Sequence, residues 1–160
     1  YLYIDVGGGS TELTFIADGK LKYKESFNIG TIRLLKSQVA EKEWNEMKEH
    51  LKNNTKSSLP MVAIGSGGNI NKIFSLSKKK EGKPLHLDVL KDYYKELSSV
   101  SVEERIRLYK LREDRADVIV PALQIYMNVM RWADIEEIYV PKIGLADGLI
   151  QNLYEKLMKK

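Results

Sequence analysis

The residues best suited to chemistry lie near the start of the chain, in the sequence Asp-Val-Gly-Gly-Gly-Ser-Thr-Glu. Three consecutive glycines lack side chains, so their backbone N–H groups can approach an anion closely. The two hydroxyl residues that follow add hydrogen-bond donors for phosphate oxygens. A plain glycine-rich turn is the alternative, but the acidic residue on each side favours a phosphate-binding loop. The candidate residues for binding phosphate are Gly7, Gly8, Gly9, Ser10 and Thr11.

The acidic residues on either side of this loop are Asp5 and Glu12. Asp5 lies near the end of an apolar run, and a carboxylate in that place is suited to hold a hard cation such as Mg²⁺, directly or through water. Glu12 faces the same space if the chain folds back on itself as a hairpin. The two carboxylates are therefore expected to lie together beside the loop.

A second glycine-rich loop follows another short apolar run. Exposed N–H groups at the start of the helix predicted after it suit a phosphate group or a flat nucleoside. Close packing between loop and sheet is the alternative, and this loop alone does not decide between them. Two such loops after strands of one sheet favour a shared phosphate site, because open α/β sheets bind ligands at those strand ends. The candidate residues here are Gly65, Ser66, Gly67 and Gly68.

Two arginines are candidates for contact with a substrate. Arg33 follows Gly30 and Thr31 at a predicted helix start, where it is placed to reach an anion, although a plain helix entry explains it equally well. Arg115 lies in a charged stretch before an apolar helix, with Asp114 as the expected helix cap. Structural ion pairs are the alternative for that stretch.

Three further polar residues have weaker claims. Asp147, between Gly144 and Gly148, is placed to support a metal or water network, with helix capping as the favoured role. His50 and His86 have no neighbouring ligands in the sequence and are expected at the surface. The sequence therefore offers no support for a catalytic triad or a zinc site.

The composition is that of an ordinary folded domain, with 160 residues, 43% hydrophobic and 30% charged. A single domain over residues 1–160 is expected. The absence of cysteine excludes disulfides, thiolate metal sites and a cysteine nucleophile. The net charge of +4 comes from dispersed lysines, which favours a solvated surface over nucleic-acid binding. No apolar run is long enough to span a bilayer, so we expect no membrane partner.

The predicted elements alternate in the manner of an α/β domain. Three strands from about residues 2–6, 11–16 and 21–27 are joined by tight turns, with Asp18-Gly19 as a hairpin signal. Crossover strands extend them into a mixed five-stranded sheet with helices on both faces and a helical insertion. The later strands are predicted at Pro60–Ile64 and Glu137–Val140, and the helices at about residues 31–35, 41–51, 69–76, 88–97, 102–109 and 113–132 and after Gly148.

Five segments in this order closely resemble the exopolyphosphatase/guanosine pentaphosphate phosphatase family, within the superfamily of sugar kinases, actin and heat-shock chaperones. They are Asp5–Leu13, Gly30–Leu34, Gly65–Asn69, Glu113–Leu123 and Val140–Ile150. The resemblance extends to about Leu153 and implies one ribonuclease H-like lobe of the actin-type ATPase fold. Ser66 stands where many members have threonine, a change that keeps the hydroxyl.

The resemblance implies an enzyme that releases terminal phosphate from polyphosphate or guanosine pentaphosphate with Mg²⁺ as its cofactor. It places Asp5 and Glu12 around the metal and the attacking water, as catalytic and metal-binding residues. It also places the first glycine loop on phosphate, and Gly65–Asn69 where relatives contact a nucleotide. A cytoplasmic homodimer is the expected form of the parent protein.

In that family a second lobe, expected before Tyr1, supplies another phosphate loop and a glutamate that acts as general base. These 160 residues are therefore expected to be the C-terminal lobe, folded but without appreciable turnover of their own. Two alternatives stay open. One is a protein that senses guanosine tetra- or pentaphosphate with little hydrolysis, and the other is a kinase or ATPase of the same superfamily.

Overall fold

The computed structural model describes residues 1–55 and 60–141 of the chain. Its strands are β1 (Leu2–Val6), β2 (Thr11–Ala17), β3 (Lys20–Phe27), β4 (Ala63–Ser66), β5 (Leu85–His86) and β6 (Glu137–Tyr139). They form one mixed sheet in the order β3-β2-β1-β4-β6-β5. The expected α/β architecture is confirmed, but the sheet has six strands where five were predicted.

Seven helices complete the described part of the chain. They are α1 (Thr31–Leu35), α2 (Glu41–Asn54), α3 (Gly68–Ser77), α4 (Leu87–Ser98), α5 (Val102–Tyr109), α6 (Glu113–Ala116) and α7 (Ile119–Trp132). The helix predicted after Gly148 lies outside the described residues. None of the described helices combines the length and apolar character needed to cross a membrane.

The first three strands form the predicted antiparallel meander. The turn between β2 and β3 is made by Asp18 and Gly19, which have φ angles of 55° and 69°. Two consecutive positive φ angles define the tight turn that follows the twist of a hairpin, and Asp-Gly is a preferred sequence for it. The hairpin signal in the sequence is therefore confirmed.

The carboxyl ends of β1 and β4 meet at one edge of the sheet, because β4 runs parallel to β1. β6 is in turn parallel to β4. Each glycine-rich loop follows one of these strand ends, so the topology brings both loops to the same edge, where open α/β sheets bind ligands. β5 was missed because it is only two residues long, paired antiparallel to β6 through Leu85 and Ile138.

One face of the sheet forms the main hydrophobic core. Alternate residues of β1 and β2 point into it, as the period of two in a strand requires. Leu2, Ile4 and Leu13 are fully buried there and belong to one cluster with the apolar sides of the helices. On the opposite face Tyr3 and Ile64 form a small separate cluster with Tyr1. This second face carries the polar residues of the candidate site.

Several predicted boundaries were wrong. β4 begins at Ala63 instead of Pro60 and runs into the second glycine loop, because proline lacks the N–H that a central strand needs. The predicted helix over residues 113–132 is interrupted between α6 and α7, before Pro121. Pro121 instead lies in the first turn of α7, where a missing N–H costs nothing.

One predicted helix cap was also wrong. The N-cap of α6 is Arg112, and Asp114 lies in the first turn, paired with the Arg112 guanidinium at 2.7 Å. That pair is exposed, so its contribution to stability is small. The N-cap of α1 is Gly30, while Thr31 is buried as the first helical residue.

Candidate functional site

The two predicted carboxylates lie next to each other on the second face of the sheet. Asp5 of β1 pairs directly with Glu12 of β2 and, on its other side, with Ser66 of β4. Directly paired residues project from the same face with Cβ atoms about 5 Å apart. Glu12 is exposed and Asp5 is half-buried. The expectation that Glu12 faces the same space as Asp5 is therefore confirmed.

The first glycine loop is a tight turn between β1 and β2, closed by the Gly7 N–H, which donates to the Ser10 carbonyl at 2.9 Å. Its carbonyl groups bind α1. The Thr31 N–H donates to the Gly7 carbonyl and the Ile32 N–H to the Gly8 carbonyl, each at 3.0 Å. The start of α1 is thus occupied by the loop and is not an anion site.

The third carbonyl of the loop, that of Gly9, accepts a hydrogen bond of 2.6 Å from Nε of Arg33. In a planar trans peptide the C=O and the following N–H point in opposite directions. The N–H groups of Gly8, Gly9 and Ser10 therefore point away from α1. In residues 1–55 and 60–141 none of these three donors has a hydrogen-bond acceptor. They form a donor set suited to an oxyanion beside the two carboxylates.

Gly30 allows this arrangement through close contact with the loop. A Cβ atom added to Gly30 would lie 2.3 Å from the Gly8 carbonyl oxygen and 2.7 Å from the Gly9 carbonyl carbon. Only glycine permits such an approach between two backbone segments. The sequence marked Gly30 as a helix start but gave no signal of this contact, because the two segments are more than twenty residues apart.

Thr11 has a different role from the one predicted. Its side chain is fully buried, and its hydroxyl donates to the Ile29 carbonyl at 2.6 Å. That bond fixes the connection between β3 and α1. The hydroxyl is therefore committed within the fold, and we leave Thr11 out of the phosphate-binding set.

The second glycine loop divides into a packing part and an open part. Gly65 lies within β4 and is buried, and an added Cβ would come within 2.8 Å of Ile138 and 3.1 Å of Tyr126. Gly65 therefore serves close packing, the alternative weighed for this loop. Gly67, the N-cap of α3, has a φ of 125°, a conformation that favours glycine. Gly67 and Gly68 are partly exposed beside Ser66.

Ser66 is held by two tyrosines that no sequence motif marks. Its hydroxyl lies 2.7 Å from the Tyr3 hydroxyl, and its carbonyl accepts a bond of 3.0 Å from the Tyr126 hydroxyl. Burial raises the pKa of Tyr126, and the nearby charges of Asp5 and Tyr3 raise it further. Tyr126 therefore stays protonated and keeps donating to the end of β4.

The Arg115 guanidinium packs directly on Gly68. A Cβ atom added to Gly68 would lie 2.3 Å from both terminal nitrogens of this arginine. The helix that carries Arg115 is anchored by Arg105, which donates to the Leu97 carbonyl at 2.7 Å and to the Ala116 carbonyl at 2.9 Å. The structure therefore brings Arg115 to the second loop.

Replacing Gly68 by alanine should displace the Arg115 guanidinium from the second loop while the fold persists. The clash is with the far end of a flexible side chain, so the free energy of unfolding should fall by no more than about 1 kcal/mol. We expect urea unfolding to show this, and calorimetry to show equal losses of phosphate affinity for Gly68→Ala and Arg115→Gln. If neither substitution alters the affinity, Arg115 does not contact the ligand.

The two histidines lie in the fold as a ring-packing residue and a helix cap. His50 is half-buried, contrary to its expected surface position, and its ring meets the Phe27 ring edge to face at 5.4 Å. His86 is exposed and accepts a bond from the Asp88 N–H at 3.1 Å, so it caps α4. Asp147 lies outside the described residues.

Asp5 and Glu12 suit Mg²⁺ better than a metal that needs a complete protein cage. In the part of the chain that the structure describes, no three His, Cys, Asp or Glu side chains gather into a metal site. Magnesium is usually held by one or two carboxylates together with water and substrate phosphates. A pair of carboxylates beside an oxyanion-binding loop fits that donor set.

A cavity of about 930 Å³ lies away from both loops. It is bounded by the ends of α2 and α7 and by residues that lead into β4 and β6, at the sheet edge opposite the loops. Its cationic side chains are Lys48, Lys52 and Arg131. Cavity size alone therefore does not mark the candidate site.

A profile of the Ppx/GppA phosphatase family matches residues 1–157. A search of curated proteins found no match.

Solved structures of similar fold come from the same family. The type II variant of the Aquifex aeolicus Ppx/GppA phosphatase has a TM-score of 0.72 at 23% identity, over 93% of this chain and 55% of its own. Another structure of the Aquifex aeolicus family member has a TM-score of 0.71 at 24% identity, over 99% and 56%. An exopolyphosphatase from Cytophaga hutchinsonii ATCC 33406 has a TM-score of 0.66 at 21% identity, over 98% and 57%.

These structures confirm the expected actin-type fold. Identities this low establish the fold alone. The chain spans little more than half the length of each of these neighbours.

Proposed function

Because this chain belongs to the Ppx/GppA phosphatase family, we propose that it provides the phosphate-binding and acidic part of a phosphoanhydride hydrolase site. The observation that carries the proposal is the set of three N–H donors, from Gly8, Gly9 and Ser10, beside the Asp5–Glu12 pair. Backbone donors aimed at an oxyanion are the usual means of stabilising charge that develops in such reactions.

The proposed reaction is the attack of water on a terminal phosphorus. The water oxygen forms a bond to phosphorus and gives up a proton to a general base, the bond from phosphorus to the bridging oxygen breaks, and that oxygen leaves with the electron pair as inorganic phosphate is released. The loop N–H groups hold the terminal phosphoryl oxygens, and Glu12 accepts a hydrogen bond from the water and so orients it. Bound between Asp5 and Glu12, Mg²⁺ would neutralise charge on the phosphate oxygens.

The two arginines contribute contacts to the rest of the substrate. Nε of Arg33 holds the first loop, and we assign its two terminal nitrogens, which have no partner in the described residues, to the substrate's anionic groups. Arg115 offers a second cation at Gly68. We propose that a general base completes the site. It would come from a part of the protein that corresponds to the remaining length of the solved neighbours.

The proposed substrates are linear polyphosphate and guanosine pentaphosphate, both of which end in a phosphoanhydride. The test is phosphate release by the full-length protein from each compound, with Mg²⁺ and with excess chelator, beside calorimetric binding. We expect release that requires Mg²⁺ and no release from a simple phosphate monoester. Binding of guanosine pentaphosphate without release would instead establish a nucleotide sensor, and the absence of both would refute the proposed site.

A further inference from the structure

The edge strand β3 carries two lysines on the same face as the candidate site. Lys24 pairs with Thr14, which pairs with Tyr3, two residues before Asp5 in β1. Paired residues and residues two apart in a strand share a face. Lys24 therefore lies on the Asp5 face, one step from Glu12 along the strands. Both Lys24 and Lys22 are exposed.

Lys22 and Lys20 are separated by an irregularity in the pairing. The register between β2 and β3 shifts after Phe15, so that Ile16 pairs with Leu21 and Ala17 with Lys20. At the shift Lys22 is left without a direct partner on β2. It lies two residues before Lys24 and shares the site face with it. Lys20 pairs with a residue of the opposite face. Only two of the three lysines in β3 thus lie beside the site.

The charges of this pair are not neutralised within the fold. In residues 1–55 and 60–141, every ion pair involves other residues. Glu12 is the diagonal neighbour of Lys24 across the two strands, but the two side chains are not within ion-pair distance. The two ammonium groups are therefore available to an external anion.

We propose that Lys22 and Lys24 form a subsite for the inner phosphates of a linear polyphosphate whose terminal phosphate occupies the first glycine loop. This inference rests on the proposed function. From Ser26, which pairs with Glu12, the strand advances by about 7 Å to Lys24 and by about 13 Å to Lys22, so a single phosphate does not reach both lysines. A chain with a charge on every unit passes both of them.

The chemistry of the subsite favours a linear polyanion over a nucleotide. Lysine ammonium groups are point charges on flexible stems, and they recognise charge without reading a planar base. A short phosphate chain ends before Lys22, so it gains less from the pair than a long chain does. Lysine on an edge strand also discourages pairing with another sheet, and that role is compatible with the subsite.

The test compares the binding of long-chain polyphosphate and of triphosphate to the full-length protein in Mg²⁺. We expect the double substitution Lys22→Gln with Lys24→Gln to weaken long-chain binding about tenfold, and triphosphate binding less than twofold. The matched control is Lys20→Gln with Lys79→Gln, which removes the same charge from exposed positions off this face. The control should change long-chain affinity less than twofold.

A further double variant, Lys22→Glu with Lys24→Glu, keeps the edge strand charged and so guards against aggregation of the glutamine variant. It should weaken long-chain binding more strongly than glutamine does. The subsite is overturned if the Lys22 and Lys24 variants lose no more long-chain affinity than the control does. It is also overturned if they lose equal affinity for long-chain polyphosphate and for triphosphate. If the unaltered protein binds neither phosphate, it is the proposed function that fails.

Discussion

In the full-length protein, replacing Glu12 by glutamine is expected to lower phosphate release by about 10²- to 10⁴-fold and to leave the fold intact. The substitution keeps the size of the side chain and removes the charge that orients water and metal. Glu12 is exposed and its backbone remains paired with Asp5, so the free energy of unfolding should change by less than about 0.5 kcal/mol. Steady-state phosphate release and urea unfolding measure the two effects.

Glu25 provides the matched control for this substitution. It is an exposed glutamate on the neighbouring strand, but it pairs with Leu13 and so lies on the opposite face of the sheet. Glu25→Gln should retain full turnover. Near-normal release by Glu12→Gln would remove Glu12 from the mechanism, and an equal loss in both variants would point to a general effect of charge.

Replacing Gly30 by alanine is expected to destabilise the protein by about 3 kcal/mol and to abolish phosphate binding at the first loop. The new methyl group would lie 2.3 Å from the Gly8 carbonyl oxygen. That atom belongs to the backbone and is already bonded to the Ile32 N–H, so it cannot move aside without breaking the contact between loop and helix. Urea unfolding and calorimetric titration with phosphate measure the two losses.

The control for Gly30 is found in the loop itself. A Cβ atom added to Gly9 would meet nothing within 4 Å, so the fold should tolerate Gly9→Ala with a change below about 1 kcal/mol. Comparable stability of the two variants would show that the contact between Gly30 and the loop does not hold the structure. A stable Gly30→Ala protein with normal phosphate affinity would contradict the second part of the prediction.

The parts of the fold that could be predicted from sequence are those with local causes. The alternation of apolar residues in β2 and the Asp18-Gly19 turn determine the meander within some twenty-five residues of chain. The glycines after two strand ends predicted the positions of both loops. Backbone that comes close to a ligand or to a neighbouring strand must lack side chains, so glycine is required in either case. The family resemblance, carried by those motifs, is confirmed by the match over residues 1–157.

The parts that could not be predicted depend on contacts between distant segments. The bond between Tyr3 and Ser66 joins residues 63 positions apart, and the Tyr126 hydroxyl reaches Ser66 from 60 positions away. Nothing in an apolar helix distinguishes the tyrosine that will meet a strand end from one that fills the core. Thr11 is a case in which the sequence suggested a ligand contact that the fold does not allow. Its hydroxyl follows the glycine loop but donates to the Ile29 carbonyl.

The bonds between the loop carbonyls and α1 have a thermodynamic consequence for ligand affinity. Glycine loses more conformational entropy on ordering than any other residue, so three in a row would make a costly site if they were ordered only on contact with an anion. Here folding itself immobilises Gly7, Gly8 and Gly9 against Thr31, Ile32 and Arg33. The entropy is lost before the ligand arrives, and the binding energy of the N–H donors is retained as affinity.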